Sequence, residues 1–306
     1  MINEDEILKV LPMNISSLIK DVLYKKSIQE IRFRSEKPII INTFEEEIIV
    51  PYVSKIEDIK NIITKISNYS LYAYEEEIKQ GYITIKGGHR IGIAGECVMV
   101  NGEVRTIRNI SSINIRVCRE VVGCSRELLT YINDKGKLLN TLIVSPPKCG
   151  KTTMIRDLAR NISNGFNGIK GKKISIIDER SEIAACFNGV PQLDVGIRTD
   201  VLDNCLKREG IFMAIRSLSP EVIICDEIGT NGDIEALNKA FNSGVNVIVT
   251  IHGDDIEDIY SRPILKNLFE MKIIDRIITL NNKRKVGNID KVYSIDLKGE
   301  VKCLNL

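Results

Sequence analysis

The 306-residue chain has no tryptophan, two histidines and 5% aromatic residues, and its 43 basic side chains are nearly matched by 41 acidic ones. Proteins that track a nucleic-acid strand combine a basic groove with stacked aromatic rings. A net charge of +2 and so few rings argue against a nucleic-acid partner, and against long-range attraction to anionic lipid. No apolar run approaches the length of a membrane span. The start, Met1-Ile-Asn-Glu-Asp-Glu6, is acidic where an export signal would be basic and then apolar. The cysteines, Cys97, Cys118, Cys124, Cys149, Cys186, Cys205, Cys225 and Cys303, show neither metal-ligand spacing nor a disulfide framework. Several sit in apolar strands and read as reduced core thiols, which predicts a cytoplasmic protein without a direct membrane span.

What is present is an ordinary globular composition, 43% hydrophobic and 27% charged, with room for two domains. Residues 1–122 mix helical and alternating periods and predict an α+β domain. Ile56, Ile59, Ile62, Ile63 and Ile66 mark a helix over 55–69, and a shorter one is expected over 72–79. Strands are expected over 28–42, 82–86, 90–100 and 112–118, with Gly87-Gly-His-Arg90 as a hairpin turn. Residues 123–306 form the second predicted domain, with the junction itself spread over 119–138. Strands at 141–145, 173–178, 222–226 and 246–251 alternate there with helices near 151–163, 205–218 and 232–243. That order predicts a parallel sheet with crossover helices, extended by strands at 275–281 and 290–297. Internal repeats and low-complexity tracts are lacking.

The most specific stretch is Thr141-Leu-Ile-Val-Ser-Pro-Pro-Lys-Cys-Gly-Lys-Thr-Thr153, an apolar strand running into a turn and then a helix. Such a turn cradles a polyphosphate with backbone N–H groups and a helix N-terminus, here through Ser145, Pro146, Pro147, Lys148, Cys149, Gly150, Lys151, Thr152 and Thr153. Lys151 is expected on the outer phosphates and the Thr152 hydroxyl on magnesium. The turn departs from the usual pattern at Ser145 and Lys148, where glycine is common, and side chains there would resist positive φ. A second apolar run, Glu221-Val-Ile-Ile-Cys-Asp-Glu-Ile-Gly229, closes on two carboxylates at the carboxyl edge of the sheet, where ligands of open α/β sheets bind. Asp226 is expected to hold the magnesium shell and Glu227 to position and deprotonate the attacking water. Together the two segments predict an NTPase using ATP or GTP with Mg2+.

Three further segments follow in order: Ile176-Ile-Asp-Glu-Arg-Ser-Glu-Ile183, Ala214-Ile-Arg-Ser-Leu-Ser-Pro-Glu221 and Val249-Thr-Ile-His-Gly253. With the phosphate loop they resemble the secretion ATPase superfamily, the RecA-like hexameric motors of type II and type IV secretion and pilus assembly. The resemblance implies an acidic box of Asp178, Glu179 and Glu182, a nucleotide-sensing His252, and a basic Arg216 before the acidic strand. It also implies that arginines of the first domain, Arg90 and Arg116 before Arg108, close onto nucleotide. Arg198 is a weaker candidate than Arg216, and for each a salt bridge to the acidic box is the plain structural alternative. Gly196-Ile-Arg-Thr-Asp-Val-Leu-Asp203, Asp226-Glu-Ile-Gly229, Glu30-Ile-Arg-Phe-Arg34 and Tyr82–Gly95 narrow the likeness, which is similar to the stage III sporulation AA family. Asp226 stands where secretion ATPases commonly carry glycine, and the narrower family shares that departure.

The fold expected is therefore a RecA-like P-loop ATPase domain with a parallel-sheet core, preceded by a smaller α+β domain. The resemblance implies an ATPase of the mother cell in an endospore-forming bacterium, peripheral to the membrane. It would act as a homo-oligomer, a hexamer by analogy, on membrane proteins of the channel complex linking mother cell to forespore. Two other readings stand beside it: a nucleotide-gated scaffold with incidental hydrolysis, and, more weakly, a nucleic-acid translocase.

Overall fold

A computed structural model describes residues 4–68, 70, 74–147, 149–281, 287–296 and 299–304 of the chain. It separates into two compact units, one running to Glu120 and including Ala185–Leu193, the other comprising Val121–Ala184 and the chain from Asp194 onward.

In the first unit, helices α1 (Glu4–Val10) and α2 (Met13–Lys25) precede strands β1 (Ile28–Arg34), β2 (Lys37–Thr43) and β3 (Glu47–Ser54). Helices α3 (Ile56–Ile66) and α4 (Glu75–Lys79) lead to β4 (Tyr82–Thr84), β5 (Arg90–Val100) and β6 (Glu103–Arg116). The strands form one antiparallel sheet in the order β3-β2-β1-β6-β5-β4. Side chains alternate across a strand, so Ile31, Phe33, Ile39, Ile41, Ile91, Ile113 and Ile115 share one buried face. They pack with Ile7, Ile15, Ile19, Ile59 and Ile62 from α1, α2 and α3. The isoleucine spacing over 55–69 thus makes the helix it predicts, while residues 69, 72 and 73 of the two expected helices lie outside the described residues. The Gly87–Arg90 turn closes with Gly88 N–H donating to Ile85 C=O at 3.0 Å and Ile85 N–H to His89 C=O at 2.9 Å.

The other face of this sheet is polar, and Glu30 stitches three strands across it. Its carboxylate accepts from Arg32 Nε at 2.5 Å, from Asn42 Nδ2 on β2 at 2.8 Å and from Asn114 Nδ2 on β6 at 2.9 Å. Burial would raise the Glu30 pKa, but these donors together lower it from 4.5 to about 2.

The second unit opens with α5 (Arg126–Tyr131) and a small hairpin, β7 (Asn133–Asp134) and β8 (Lys137–Leu138). Then come β9 (Thr141–Ser145), α6 (Lys151–Asn164), β10 (Ile174–Asp178), β11 (Thr199–Asp203), α7 (Lys207–Ser217), β12 (Val222–Cys225), α8 (Asn231–Asn242) and β13 (Asn246–His252). Helices α9 (Ile256–Ser261) and α10 (Pro263–Glu270) precede β14 (Arg276–Asn281), β15 (Asn288–Ile295) and β16 (Val301–Leu304). The sheet order is β11-β10-β12-β13-β9-β14-β15-β16. Neighbours are parallel from β11 to β14, and β15 and β16 fold back antiparallel.

Strands β9, β10 and β12 are buried at every residue, as apolar strands covered on both faces must be. The second core gathers Leu142, Val144, Ile177, Ile223, Val247 and Val249 with Ile211, Ala214, Leu237 and Leu265 from the flanking helices. Parallel pairing puts the carboxyl ends of β9, β10, β12 and β13 on one edge. The cysteines carry thiols rather than disulfides, with Cys149, Cys186 and Cys225 buried and Cys97 and Cys303 exposed.

Glu30→Gln is expected to destabilise the first unit by about 2 kcal/mol, since hydrogen bonds to a charged group are lost. Because the folded pKa lies below the unfolded one, wild type holds this stabilisation above about pH 4.5 and loses it as pH falls through about 2. Chemical denaturation between pH 2 and pH 6 should show the gap between variant and wild type closing toward acid.

Candidate active site

Four loops from the carboxyl edge of the second sheet meet around the start of α6. Strand β9 ends at Ser145, in register with His252 of β13, and the Ser145 hydroxyl donates to Pro146 C=O at 3.0 Å. Ser145 is strand backbone and needs no positive φ; among the described residues 145–153 only Gly150 has one, at 83°. A side chain at Ser145 therefore meets no left-handed strain, and glycine occupies the position that requires it. Lys148 lies outside the described residues. Helix α6 makes its first bond from Met154 N–H to Gly150 C=O at 2.9 Å, which leaves the N–H groups of Lys151, Thr152 and Thr153 without intrahelical acceptors. Pro146, Pro147 and the buried Cys149 shape the approach to this donor array, and the Cys149 thiol is 3.7 Å from Pro147 C=O.

Lys151 is only 6% exposed. Burial lowers its pKa, and the nearby Asp226 and Glu227 carboxylates oppose that effect. Its Nζ donates to His252 Nδ1 at 2.8 Å, and His252 Nε2 lies 2.7 Å from Glu227 Oε1. With lysine as the donor, Nδ1 must accept and Nε2–H must donate, so the pairing assigns His252 one tautomer. The second Glu227 oxygen lies 3.2 Å from Arg180 Nη1. Glu227 sits in left-handed backbone, at φ 47°, fixed by its N–H donating to Asp226 Oδ1 and Thr250 Oγ1, each at 3.0 Å.

Asp226 joins three elements. Its Oδ2 accepts from the Thr152 hydroxyl at 2.8 Å, and its Oδ1 accepts from the Thr250 hydroxyl of β13 as well as from Glu227 N–H. The following loop is fixed by a capping box. Thr230 Oγ1 accepts from Asp233 N–H at 3.1 Å, while Asp233 Oδ2 accepts from Thr230 N–H at 2.9 Å and Gly229 N–H at 3.0 Å.

The acidic segment after β10 divides its work. Asp178 is 2% exposed and turns its carboxylate onto backbone, accepting from the N–H groups of Glu182 at 2.8 Å and of Ile183 and Ala184 at 2.9 Å each. Burial nevertheless raises its pKa, and Asp203 adds to the rise. Arg156 on α6 holds the same loop, donating to Ile183 C=O and, at 2.6 Å, to Glu182 C=O. Glu179 pairs with Lys207 at the start of α7. Asp178, Glu179, Arg180, Glu182, Lys207, Asp226 and Glu227 line one pocket within the second unit. Five carboxylates and two cations therefore face one another there.

The structure brings together Lys151, Thr152, Asp226, Glu227 and His252 directly, and Asp178, Glu179 and Glu182 around the adjoining pocket. Arg216 is exposed in the last turn of α7, and the helix rises about 13 Å between Lys207 and Arg216, so within one chain Arg216 is at the far end. Lys207, not Arg216, meets the acidic segment. Arg198 donates to Ser163 C=O at 2.9 Å and serves the α6–β11 packing. Arg90 and Arg116 belong to the first unit, cross-paired on β5 and β6, with Arg90 stacked 4.4 Å from the Tyr82 ring centre; Arg108 is paired with Glu96 at 2.6 Å. Sequence reasoning missed Arg180, Lys207, Thr250 and Arg156. Arg180 lies inside the acidic segment and was legible as a charge there, whereas the partners of Lys207 and Thr250 come from other loops.

A parallel sheet in this order, with a phosphate-loop helix after its central strand and carboxylates on the adjacent strand ends, is the RecA-like P-loop architecture. Solved structures agree. The ATPase DotB of Legionella pneumophila matches with a TM-score of 0.60 at 12% identity, over 96% of this chain and 80% of that one. The pilus retraction motor PilT with bound ADP matches with a TM-score of 0.61 at 14% identity, over 98% of this chain and 84% of that one. At such identities the likeness establishes the fold. The chain belongs to the family described as sporulation stage III, protein AA, whose model matches residues 1–301. It is 43% identical over 294 residues to stage III sporulation protein AA of Bacillus subtilis (strain 168), covering 95% of each chain.

Asp178→Ala strands two buried N–H groups and a part-buried one at once and is expected to cost about 3 kcal/mol. Thermal denaturation should show the loss, and hydrogen exchange should quicken at Glu182, Ile183 and Ala184 before the rest of the sheet.

Proposed function

We propose that the protein is a magnesium-dependent ATPase that serves endospore formation as a homo-oligomeric ring. The observation that carries this reading is the 2.8 Å contact between the Thr152 hydroxyl and the Asp226 carboxylate at the foot of the Lys151 helix. Two hard oxygen donors held side by side fit Mg2+, which takes few protein ligands and completes its shell with phosphate oxygens and water. Among the described residues no cluster of three His, Cys, Asp or Glu side chains would hold a metal by itself, which fits an ion that arrives with a nucleotide. When bound, the ion neutralises charge on the outer phosphates.

The chain's own residues supply the rest. The orphan N–H groups at the start of α6 receive phosphate oxygens, and the Lys151 ammonium exchanges its His252 partner for the outer phosphates. Glu227 orients the attacking water and accepts its proton, and His252, released from Lys151, is placed to touch the terminal phosphate. The family likeness supports a role for the Arg90 and Arg116 guanidinium groups in stabilising charge on the transferring phosphoryl group. Membership of a sporulation family supports work on membrane proteins of the channel between mother cell and forespore, at the mother-cell face of the membrane. Among the described residues no helix is long and apolar enough to cross a membrane.

One observation favours a second reading, a nucleotide-gated scaffold: both Glu227 oxygens are already engaged, by His252 and Arg180. The readings separate on Glu227→Gln. The ATPase account expects ATP binding within two-fold of wild type and turnover reduced at least about 100-fold, in line with loss of a positioned general base. Turnover within a few-fold of wild type, measured by phosphate release, would contradict it. Lys151→Ala should abolish ATP binding in either case.

A further inference from the structure

We infer that Arg180 is a built-in phosphate sensor, its guanidinium paired with Glu227 and passing to the terminal phosphate when ATP is bound. The inference rests on the nucleotide site proposed above and assigns a residue for which that mechanism had no use.

Arg180 stands on a rigid turn. Asp178 holds the N–H groups that follow it, Arg156 holds the carbonyls of Glu182 and Ile183, and Ser181 continues the turn at φ 53°. Its side chain is 70% exposed and reaches across the pocket to Glu227 Oε2 at 3.2 Å. An ion pair this exposed is weak and easily exchanged. In the same pocket Glu179 is engaged by Lys207, and Asp226 by Thr152 and Thr250. A triphosphate offers the guanidinium paired oxygens, which it binds better than a single carboxylate oxygen.

The consequence is a coupled exchange. His252 takes one Glu227 oxygen and Arg180 the other, so both carboxylate oxygens are held by N–H donors. A terminal phosphate draws Lys151 from His252 and Arg180 from Glu227, which releases the Arg180-held oxygen of Glu227 toward the water it orients. ADP lacks that phosphate and leaves Arg180 where it is. Arg180 thereby adds a contact that ATP makes and ADP does not.

The test compares binding of Mg2+ with ADP and with the non-hydrolysable β,γ-imido analogue of ATP, using the full chain, Arg180→Ala, Arg180→Lys and Lys151→Ala. The expected result is that Arg180→Ala weakens the analogue at least ten-fold, leaves ADP within two-fold, and melts within a degree or so of wild type. Arg180→Lys should recover part of the lost affinity, and phosphate release by Arg180→Ala should fall at least ten-fold. If wild type binds both nucleotides and Arg180→Ala binds both equally well, or loses both equally, the inference is wrong and the ATPase reading survives. If wild type binds neither, the ATPase reading fails and takes the inference with it.

Discussion

Asp226 is the point at which the second unit becomes a site. Its carboxylate collects the Thr152 hydroxyl from the helix after β9, the Thr250 hydroxyl from β13, and the N–H of Glu227. Hydrogen bonds to a carboxylate contribute about 1.5 to 3 kcal/mol each where water is scarce, so this junction fixes how the phosphate-loop helix stands over the sheet. The left-handed backbone of Glu227 depends on the same contacts, since its N–H is claimed by Asp226 and Thr250 together. Such strain persists only where the surroundings over-determine it.

Sheet order explains why these residues meet. The loops after β9, β12 and β13 are far apart in sequence, yet β12-β13-β9 are adjacent parallel strands with aligned carboxyl ends. Parallel pairing requires crossover helices, and α6, α7 and α8 supply both the crossovers and the cover that buries the strands. A chain that buries Leu142, Ile143, Val144, Ile223 and Ile224 completely thereby presents Lys151, Asp226 and His252 on one rim. The first unit uses the opposite arrangement, an antiparallel sheet with one apolar and one polar face. That polar face carries Glu30, Arg32, Arg90, Asn114 and Arg116.

Much of this was legible where period and apolarity agree. The runs at 141–145, 222–226 and 246–251 announce buried strands, and the isoleucines of α3 announce its face. The chemistry of Lys151, Thr152, Asp226 and Glu227 follows from their spacing after those strands. What escaped has a physical reason. Strand β11 is Thr-Asp-Val-Leu-Asp, half-exposed at a sheet edge, where polar residues are tolerated and alternation is too short to stand out. Helix α2 begins after Pro12 without a side-chain cap, and Met13, Leu18 and Tyr24 on its outer side blur the Ile15, Ile19 and Leu23 stripe. Strand β3 places Ile49 and Val53 outward at an edge, which hides the alternation as well. Arg180 and Lys207 are single charges whose importance lies in partners from other loops, which no local pattern encodes. Arg216 shows the converse: a recognisable motif position that the helix carries away from the pocket of its own chain.

The central claim is that this edge of the sheet hydrolyses a nucleotide. The most direct measurement is phosphate release from Mg2+–ATP by the purified chain over a wide range of protein concentration, with Lys151→Ala as the blank. The proposed ring-forming ATPase should show a specific activity that rises with protein concentration and vanishes in the variant. No nucleotide binding by wild type, or release equal to that of Lys151→Ala at every concentration, would contradict it.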